Sequence, residues 1–321
     1  MTERKQVIAA GAFIFDKDKR IFLAKFTKKF SKQWSIPGGK LDFAEGPYEA
    51  VIREAKEETN IDIKNVEFFE AGSFVVDHTH VVYVDYLAEC PEHYDVQLNE
   101  EFSEWGFFDR KSLDTLNIIP KTKETTLAAM RFLSKREWSQ KLCVYNLGLI
   151  RKTVSLQESQ NNWEQAFMWV KQEIKKNTEQ KYSIEFIGST SVPGLLSKPV
   201  LDILLFFENE EMFKKDIQNL VQVGFSYSGD GIGNLTGDID SSRHFFSFYD
   251  EKDKIDYVHI HALPKGHPHA SKMLKFRDIL RSDYKIRGEY TQLKQNFMRQ
   301  GLSRKEYTLS KDAFVGKILS R

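Results

Sequence analysis

Cysteine is almost absent from this chain of 321 residues: Cys90 and Cys143 are the two it has, and neither belongs to a metal or redox spacing. That excludes a disulfide scaffold or a cysteine-based zinc module, and it fits a reducing, cytoplasmic setting. Long apolar runs are missing too, so no stretch is long enough to span a membrane. Arg4-Lys5 ahead of an apolar run at 7–15 has the outline of a signal peptide. Asp16-Lys17-Asp18-Lys19-Arg20 follows, however, where small residues would mark cleavage, and the run reads as a strand. There is no basic run with interleaved aromatics, so nucleic acid is not indicated as a partner. Gly229-Asp230-Gly231-Ile232-Gly233 precedes no helical pattern and reads as a loop, not a dinucleotide fingerprint.

What the chain does contain suffices for two cores: 41% of its residues are hydrophobic and 13% aromatic, at a length that suggests two domains. A net charge of +1 conceals an asymmetry. Residues 1–133 carry 18 Lys and Arg against 23 Asp and Glu, while the remainder carries 29 against 23. The acidic half suits a metal site and the basic half a phosphate-bearing ligand. Between them, 134–141 is polar without Gly or Pro and reads as a linker of limited freedom, giving predicted domains 1–133 and 142–321.

In the first half, strand patterns at 7–15 and 21–26 flank a charged turn, those at 66–76 and 80–89 pair again, and 105–108 is a short strand. Helices are predicted over 47–59 and 121–135, one against each face of a mixed sheet. In the first of them Glu54, Glu57 and Glu58 stand at i, i+3 and i+4, so three carboxylates share one face. A hard divalent cation, Mg²⁺ or Mn²⁺, relieves their repulsion and leaves coordination positions for substrate phosphates. A solvated acidic helix face is the competing reading. Against it, Pro37-Gly38-Gly39 permits a tight turn and Gly46-Pro47 a helix start. Glu45 stands at the helix entrance, and Arg53 is placed to hold a carboxylate bidentately. His78 and His80 alternate on a strand and are expected to face solvent.

This arrangement resembles the Nudix box: Gly, five residues, Glu, seven residues, Arg-Glu, an aliphatic, any residue, Glu-Glu, any residue, Gly, an aliphatic. Gly39, Glu45, Arg53, Glu54, Glu57, Glu58 and Ile61 match it. Ala55 is a small aliphatic, and Asn60 replaces the last Gly; Asn is the residue that best takes Gly's place in a left-handed cap. The resemblance implies an α/β/α sandwich over about 5–133 and a metal-dependent hydrolase in which Glu57 or a neighbouring Glu takes a proton. It also implies a fourth metal ligand before the last strand. Glu100, Glu101 and Glu104 are available there, and spacing favours Glu101.

The second half opens with a strand-like run at 144–150 and an amphipathic helix at 161–176 with Trp163, Phe167 and Val170 on one side. A strand then ends in Gly188-Ser189-Thr190-Ser191, whose backbone N–H groups and hydroxyls can cradle a phosphate, and Asp202 on the next strand faces that turn. The string resembles the nucleotidyltransferase core and the GrpB family in particular, over about 145–320, and implies a nucleotidyltransferase-like α/β domain. Further matching strings hold Arg243, His259 and His261, Arg277 and Lys294. Arg243, Arg277 and Lys294 are the cations expected nearest the phosphate. Leu204 stands where that core usually has a second metal-binding Asp. Asp256 is a further carboxylate, but by strand alternation it faces away from His259 and His261. A buried Asp202 satisfied by the turn is the competing reading. His267 and His269 flank Pro268 in what reads as a loop.

Three functions fit. The first is Mg²⁺-dependent hydrolysis of a diphosphate bond in a nucleoside diphosphate derivative or nucleoside triphosphate, with a nucleotide- or phosphate-binding second domain. The second is nucleotidyl or phosphoryl transfer in the second domain with an accessory first one. The third is a non-catalytic nucleotide sensor. The sequence names neither the substrate nor the oligomeric state.

Overall fold

The apolar run ahead of Asp16 forms β1 (Lys5–Phe15), and Asp16 turns the chain back. Its Oδ1 accepts from the backbone N–H groups of Asp18 and Arg20 at 2.9 and 2.8 Å, while Arg20 Nε donates to Oδ2 at 2.7 Å. β2 (Ile21–Phe26) then returns antiparallel, with Phe15 opposite Ile21. This computed structural model describes residues 5–76, 78–229, 239–309 and 311–320, and the chain divides into two compact units, Met1–Leu133 and Ser134–Arg321.

In the first unit β3 (Trp34–Ser35), β4 (Gly38–Lys40), α1 (Pro47–Thr59), β5 (Lys64–Val76), β6 (Thr79–Glu89), β7 (Phe102–Phe108) and the start of α2 (Pro120–Val144) follow. The sheet order is β3-β2-β1-β6-β5, with β4 on β1 and β7 on β2. Only the β1–β6 pairing is parallel, so the sheet is mixed. Alternation along β1 decides the layers. Ala10, Ala12 and Ile14 pack with Ala50, Val51 and Ala55 of α1, while Phe13 and Phe15 pack with Ala129 of α2 on the other face. Full burial of a side chain such as Phe13 contributes about 2–3 kcal/mol. The result is a helix–sheet–helix sandwich.

α1 begins and ends as its flanks require: Pro47 occupies the first turn, and Asn60 closes the helix at φ 61°, its N–H donating to Lys56 O at 2.9 Å. His78 sits in the turn after β5 and His80 on β6, both exposed.

α2 runs without a break through the stretch expected to be a linker. Trp138 is 3% exposed there and packs against Phe225 and Phe248 of the second core. The strand expected at 144–150 shrinks to β8 (Leu149–Ile150), because the helix keeps Leu142 buried and continues to Val144. Then come β9 (Gln157–Glu158), α3 (Asn162–Asn177), β10 (Ser183–Ile187), β11 (Leu196–Ser197), β12 (Leu201–Phe207), α4 (Glu210–Val223), β13 (Ser226–Tyr227), β14 (His244–Asp250) and β15 (Ile255–Pro264). The main sheet is ordered β10-β12-β15-β14-β13, with β8 on β15. α5 (Pro268–Ser282), α6 (Tyr284–Arg299), α7 (Arg304–Leu309) and α8 (Asp312–Leu319) complete the unit. The glycine-rich loop read at 229–233 lies, beyond Gly229, outside the described residues. Among the described residues no helix is long and apolar enough to cross a membrane.

One irregularity in β15 matters for the second unit's chemistry. Phe248 of β14 is opposite Val258, but Tyr249 is opposite Asp256, so Tyr257 is an extra residue. The bulge shifts the alternation by one. Tyr257 and Val258 both join the core, and Asp256 lines the same cavity as His259 and His261. The expectation that Asp256 faces away from them is therefore corrected.

Candidate functional sites in the two units

The first site is built on a turn that only glycine permits. Gly38 has φ 154°, and a Cβ there would come within 2.4 Å of Ala10 O; at Gly39 a Cβ would come within 2.3 Å of Glu54 Oε1. β4 therefore lies directly over the carboxylate face of α1. Glu58, 6% exposed, anchors the turn by accepting from Gly38 N at 2.8 Å.

Arg53 stands at the centre. Its Nε and Nη2 donate to the two oxygens of Glu45 at 2.8 and 2.9 Å, the bidentate grip expected of it, and Nη2 also donates to Lys40 O at 3.1 Å. Nη1 donates to Glu54 and Glu57, both at 3.0 Å. Arg53 and the backbone N–H of Asp42 hold the Glu45 carboxyl down at about 2, while Glu45 first, then Glu54 and Glu57, raise the Arg53 guanidinium still higher against the effect of burial. Glu54 behaves differently. Burial pushes its carboxyl above the ordinary range, Arg53 pulls it back, and the charges of Glu57 and Glu45 add to the rise.

One guanidinium thus serves three glutamates, and among the described residues no three His, Cys, Asp or Glu side chains gather into a ready-made metal cage. A divalent metal nevertheless fits this donor set. The oxygens are hard, Glu54 is short of positive charge, and the missing side chain at Gly39 keeps its carboxylate face clear. The segment holding the remaining candidates is fastened to the end of α1, where Gln97 N donates to Thr59 O at 3.1 Å and Asn99 N to Glu58 O at 3.2 Å. Glu100 and Glu101 follow directly. Glu104 lies on β7 and pairs with Lys25 at 2.7 Å.

The second unit holds a cavity of about 1450 Å³ whose lining includes Gly188, Ser189, Asp202, His259, His261 and Lys294. Gly188 is required by geometry: φ is 69°, and a Cβ would meet Asp202 Oδ2 at 2.5 Å. The turn Ser189–Ser191 is closed by Ser191 Oγ donating to Gly188 O at 2.7 Å, and Arg281 clamps Ser191 O with two bonds of 3.0 and 2.7 Å. Asp202 Oδ1 lies 3.3 Å from His259 Nδ1. Burial alone would raise the Asp202 carboxyl, but the His259 hydrogen bond and the charges of His259, His261 and Lys198 bring it to about 2.

The three cations expected here separate. Lys294 donates to Ser189 Oγ at 3.1 Å. Arg277 lines the cavity, with its guanidinium holding Glu185 and Asp278 at 2.9 and 2.8 Å and Phe186 O at 3.0 Å. Arg243 is not among the lining residues and lies 3.9 Å from Asp240. His267 caps α5 and contacts Asp240 at 3.0 Å, while His269 lines the cavity.

Each of the two units is similar to known proteins. The GrpB protein family matches residues 153–321 and the NUDIX domain residues 5–129. The chain belongs to the GrpB family and carries a NUDIX domain. A UPF0157 protein of Halalkalibacterium halodurans is 26% identical over 210 residues, 65% of this chain and 95% of the relative. An 8-oxo-dGTP diphosphatase of Proteus vulgaris is 30% identical over 83 residues, 25% of this chain and 74% of the relative. A solved GrpB protein from Enterococcus faecalis is 28% identical, covering 51% of this chain and 94% of that one, with a TM-score of 0.44. The Nudix domain and the diphosphatase relative support a diphosphate hydrolase.

In the GrpB domain, sequence reasoning missed Arg151, whose Nε lies 3.3 Å from Asp256, and the lysines Lys198 and Lys311 of the cavity wall. Lys198 had a signal, standing between the phosphate-type turn and Asp202. Arg151 and Lys311 had none, because they reach the cavity from segments far away in sequence.

Proposed function

We propose that the Nudix domain, residues 1–133, hydrolyses a diphosphate bond in a nucleoside diphosphate derivative or nucleoside triphosphate with Mg²⁺ or Mn²⁺, and that the GrpB domain, residues 142–321, binds a phosphate-bearing ligand. The observation that carries this reading is the set of three glutamates held by Arg53, with Glu58 of the same helix bonded to the Gly38-Gly39 turn. Glu54, Glu57 and Glu58, with Glu101, would hold the metal, which supplies positive charge for the diphosphate and acidifies a water. Glu57 is the proton acceptor, since it is the most exposed of the three glutamates hydrogen-bonded to Arg53. Arg53, fixed by Glu45, orients Glu54 and Glu57. Glu58 holds the backbone N–H of Gly38 and so fixes the turn that substrate phosphates would approach. The relative that is an 8-oxo-dGTP diphosphatase favours a nucleoside triphosphate as substrate.

The test is a nucleotide panel with the full chain, Mg²⁺ or Mn²⁺ and phosphate or pyrophosphate readout. Metal removal should abolish turnover. In the GrpB domain, Ser189→Ala with Asp202→Asn should weaken nucleotide binding measured by calorimetry. A second reading, group transfer in the GrpB domain, draws on Asp256, which the bulge brings to the cavity despite Leu204 at the usual second-Asp position. Transfer activity that survives Glu57→Gln would favour it.

A further inference from the structure

Lys294 of α6 is 1% exposed and belongs to the cavity wall. Its amine donates to Ser189 Oγ at 3.1 Å and to Leu196 O, and it lies 4.5 Å from the centre of the Tyr290 ring. These partners are all uncharged. A buried ammonium held by a hydroxyl, a carbonyl and a ring is poorly compensated, and such a group gives up its proton unless an anion arrives. Burial is the main cause that drives Lys294 toward the neutral amine; Lys311 and Lys198 push the same way, and Asp202 opposes them.

The surroundings specify the anion. Lys198 and Lys311 lie 5.2 and 5.1 Å from the centre of the Tyr307 ring, on the wall that also holds Lys294. Asp202, the acid nearest this group in influence, is already engaged with His259. The turn Ser189–Ser191 places a hydroxyl directly on the Lys294 amine. At about 1450 Å³ the cavity far exceeds a phosphate, and Phe245, Tyr249, Phe276 and Tyr307 give it aromatic walls. An organic phosphate with a flat body fits that combination.

We propose that Lys294 is a proton-coupled latch: uncharged in the free protein, it takes one proton from solvent when a phosphomonoester dianion seats on the Ser189 turn, and the resulting ion pair retains the ligand. This rests on the reading that the GrpB domain binds a phosphate compound. The proton comes from the buffer and goes to Nζ, so the occupied site gains one negative charge overall, not two. The groups whose charge bears on it are Lys198, Lys311, Asp202 and His259, with the hydroxyls of Tyr290 and Tyr307.

AMP is a suitable probe, because it has no diphosphate bond for the Nudix domain to cut and its phosphate is already a dianion at pH 8. The full chain is titrated calorimetrically without divalent metal, between pH 7.5 and 9, in buffers of different ionisation enthalpy. The expected result is uptake approaching one proton per AMP near pH 8. Lys294→Met should abolish the uptake and weaken binding at least tenfold. Lys294→Gln serves as a second variant, with thermal unfolding as the check that the fold survives. AMP binding without proton uptake across that range overturns the latch while leaving phosphate binding intact. Unchanged AMP binding in Lys294→Met and Ser189→Ala places the ligand elsewhere and overturns it as well. Failure of both AMP and inorganic phosphate to bind removes the phosphate reading and the latch with it.

Discussion

Asp85→Asn should stabilise the first unit, and by an amount that depends on pH. Asp85 lies on β6, 7% exposed, on the face that packs toward α2; a Cβ on neighbouring Gly11 would come within 2.7 Å of its Oδ1. Burial, above all, and the charge of Glu70 raise its carboxyl to about 7 from the ordinary 3.8, against the pull of Lys121 and the Gly11 backbone. The folded state therefore holds the proton more tightly than the unfolded chain does. Below about pH 4 both states are protonated and nothing is lost. As pH rises from about 4 to about 7 the unfolded chain ionises first, so stability falls, and above 7 the loss is complete. Three pH units at 1.36 kcal/mol each give about 4 kcal/mol. Asn carries no charge to desolvate, so the variant should gain about 3–4 kcal/mol at pH 8 and almost nothing at pH 4. Hydrogen exchange of β1 and β6 amides, corrected for intrinsic rates, measures this locally in the full chain. A gain that is the same at both pH values, or a variant less protected than the parent at pH 8, would refute the reasoning.

The first site permits three sharper tests. Glu57→Gln should lower kcat by about a hundredfold or more on the best substrate with the circular dichroism spectrum unchanged; unaltered turnover in a folded variant removes Glu57 from the mechanism. Gly39→Ala and Gly38→Ala should differ in kind. At Gly39 the new methyl meets only the mobile end of Glu54, so the fold should survive and turnover fall at least tenfold, whereas at Gly38 it meets backbone at φ 154° and the unit should not fold. Two equally soluble and active variants would contradict both. Asn60→Ala, placing Ala at φ 61° and losing the bond from Asn60 Nδ2 to Asp95 O, should cost about 1 kcal/mol, seen as faster exchange at the end of α1.

The first site was legible because its chemistry lies within one helix. Glu54, Glu57 and Glu58 share a face by the geometry of 3.6 residues per turn, Arg53 follows from the same helix, and Asn60 was readable as a left-handed cap because it stands where the Nudix box has its last Gly. The layers were legible for a similar reason, since alternation along β1 assigns each residue to α1 or α2. Alternation failed where the backbone broke its period. One extra residue at Tyr257 moves Asp256 across the sheet, and no sequence signal marks that bulge. The apolar residues near 144–150 were ambiguous between helix and strand, and Trp138 and Leu142 settled it by burying into the second core as part of α2. The contact of Lys294 with Ser189 spans 105 residues, so no local pattern marks it, and only the resemblance to the GrpB family placed Lys294 near that turn.

On the proposed reading the two units would handle negative phosphate by opposite means, in keeping with the division of charge between the halves of the chain. In the Nudix domain Glu45, Glu54, Glu57 and Glu58 outnumber Arg53, so on that reading a phosphate would approach only with an added cation, and affinity would depend on a divalent ion that can be removed. On the proposed reading, the GrpB site has Lys198 and Lys311 on its wall and a nearest acid, Asp202, already engaged with His259, so the protein's own charge would attract a phosphate before Lys294 takes up its proton. Chelation should therefore abolish turnover in the first and leave anion binding in the second unchanged, while rising salt should weaken the second before it affects metal retention in the first. Measuring AMP affinity and diphosphate hydrolysis on the same full-length sample, with and without chelator and across salt, separates the two. If AMP affinity falls with the chelator, the GrpB cavity also needs a metal, and Asp202 and Asp256 become its candidate ligands.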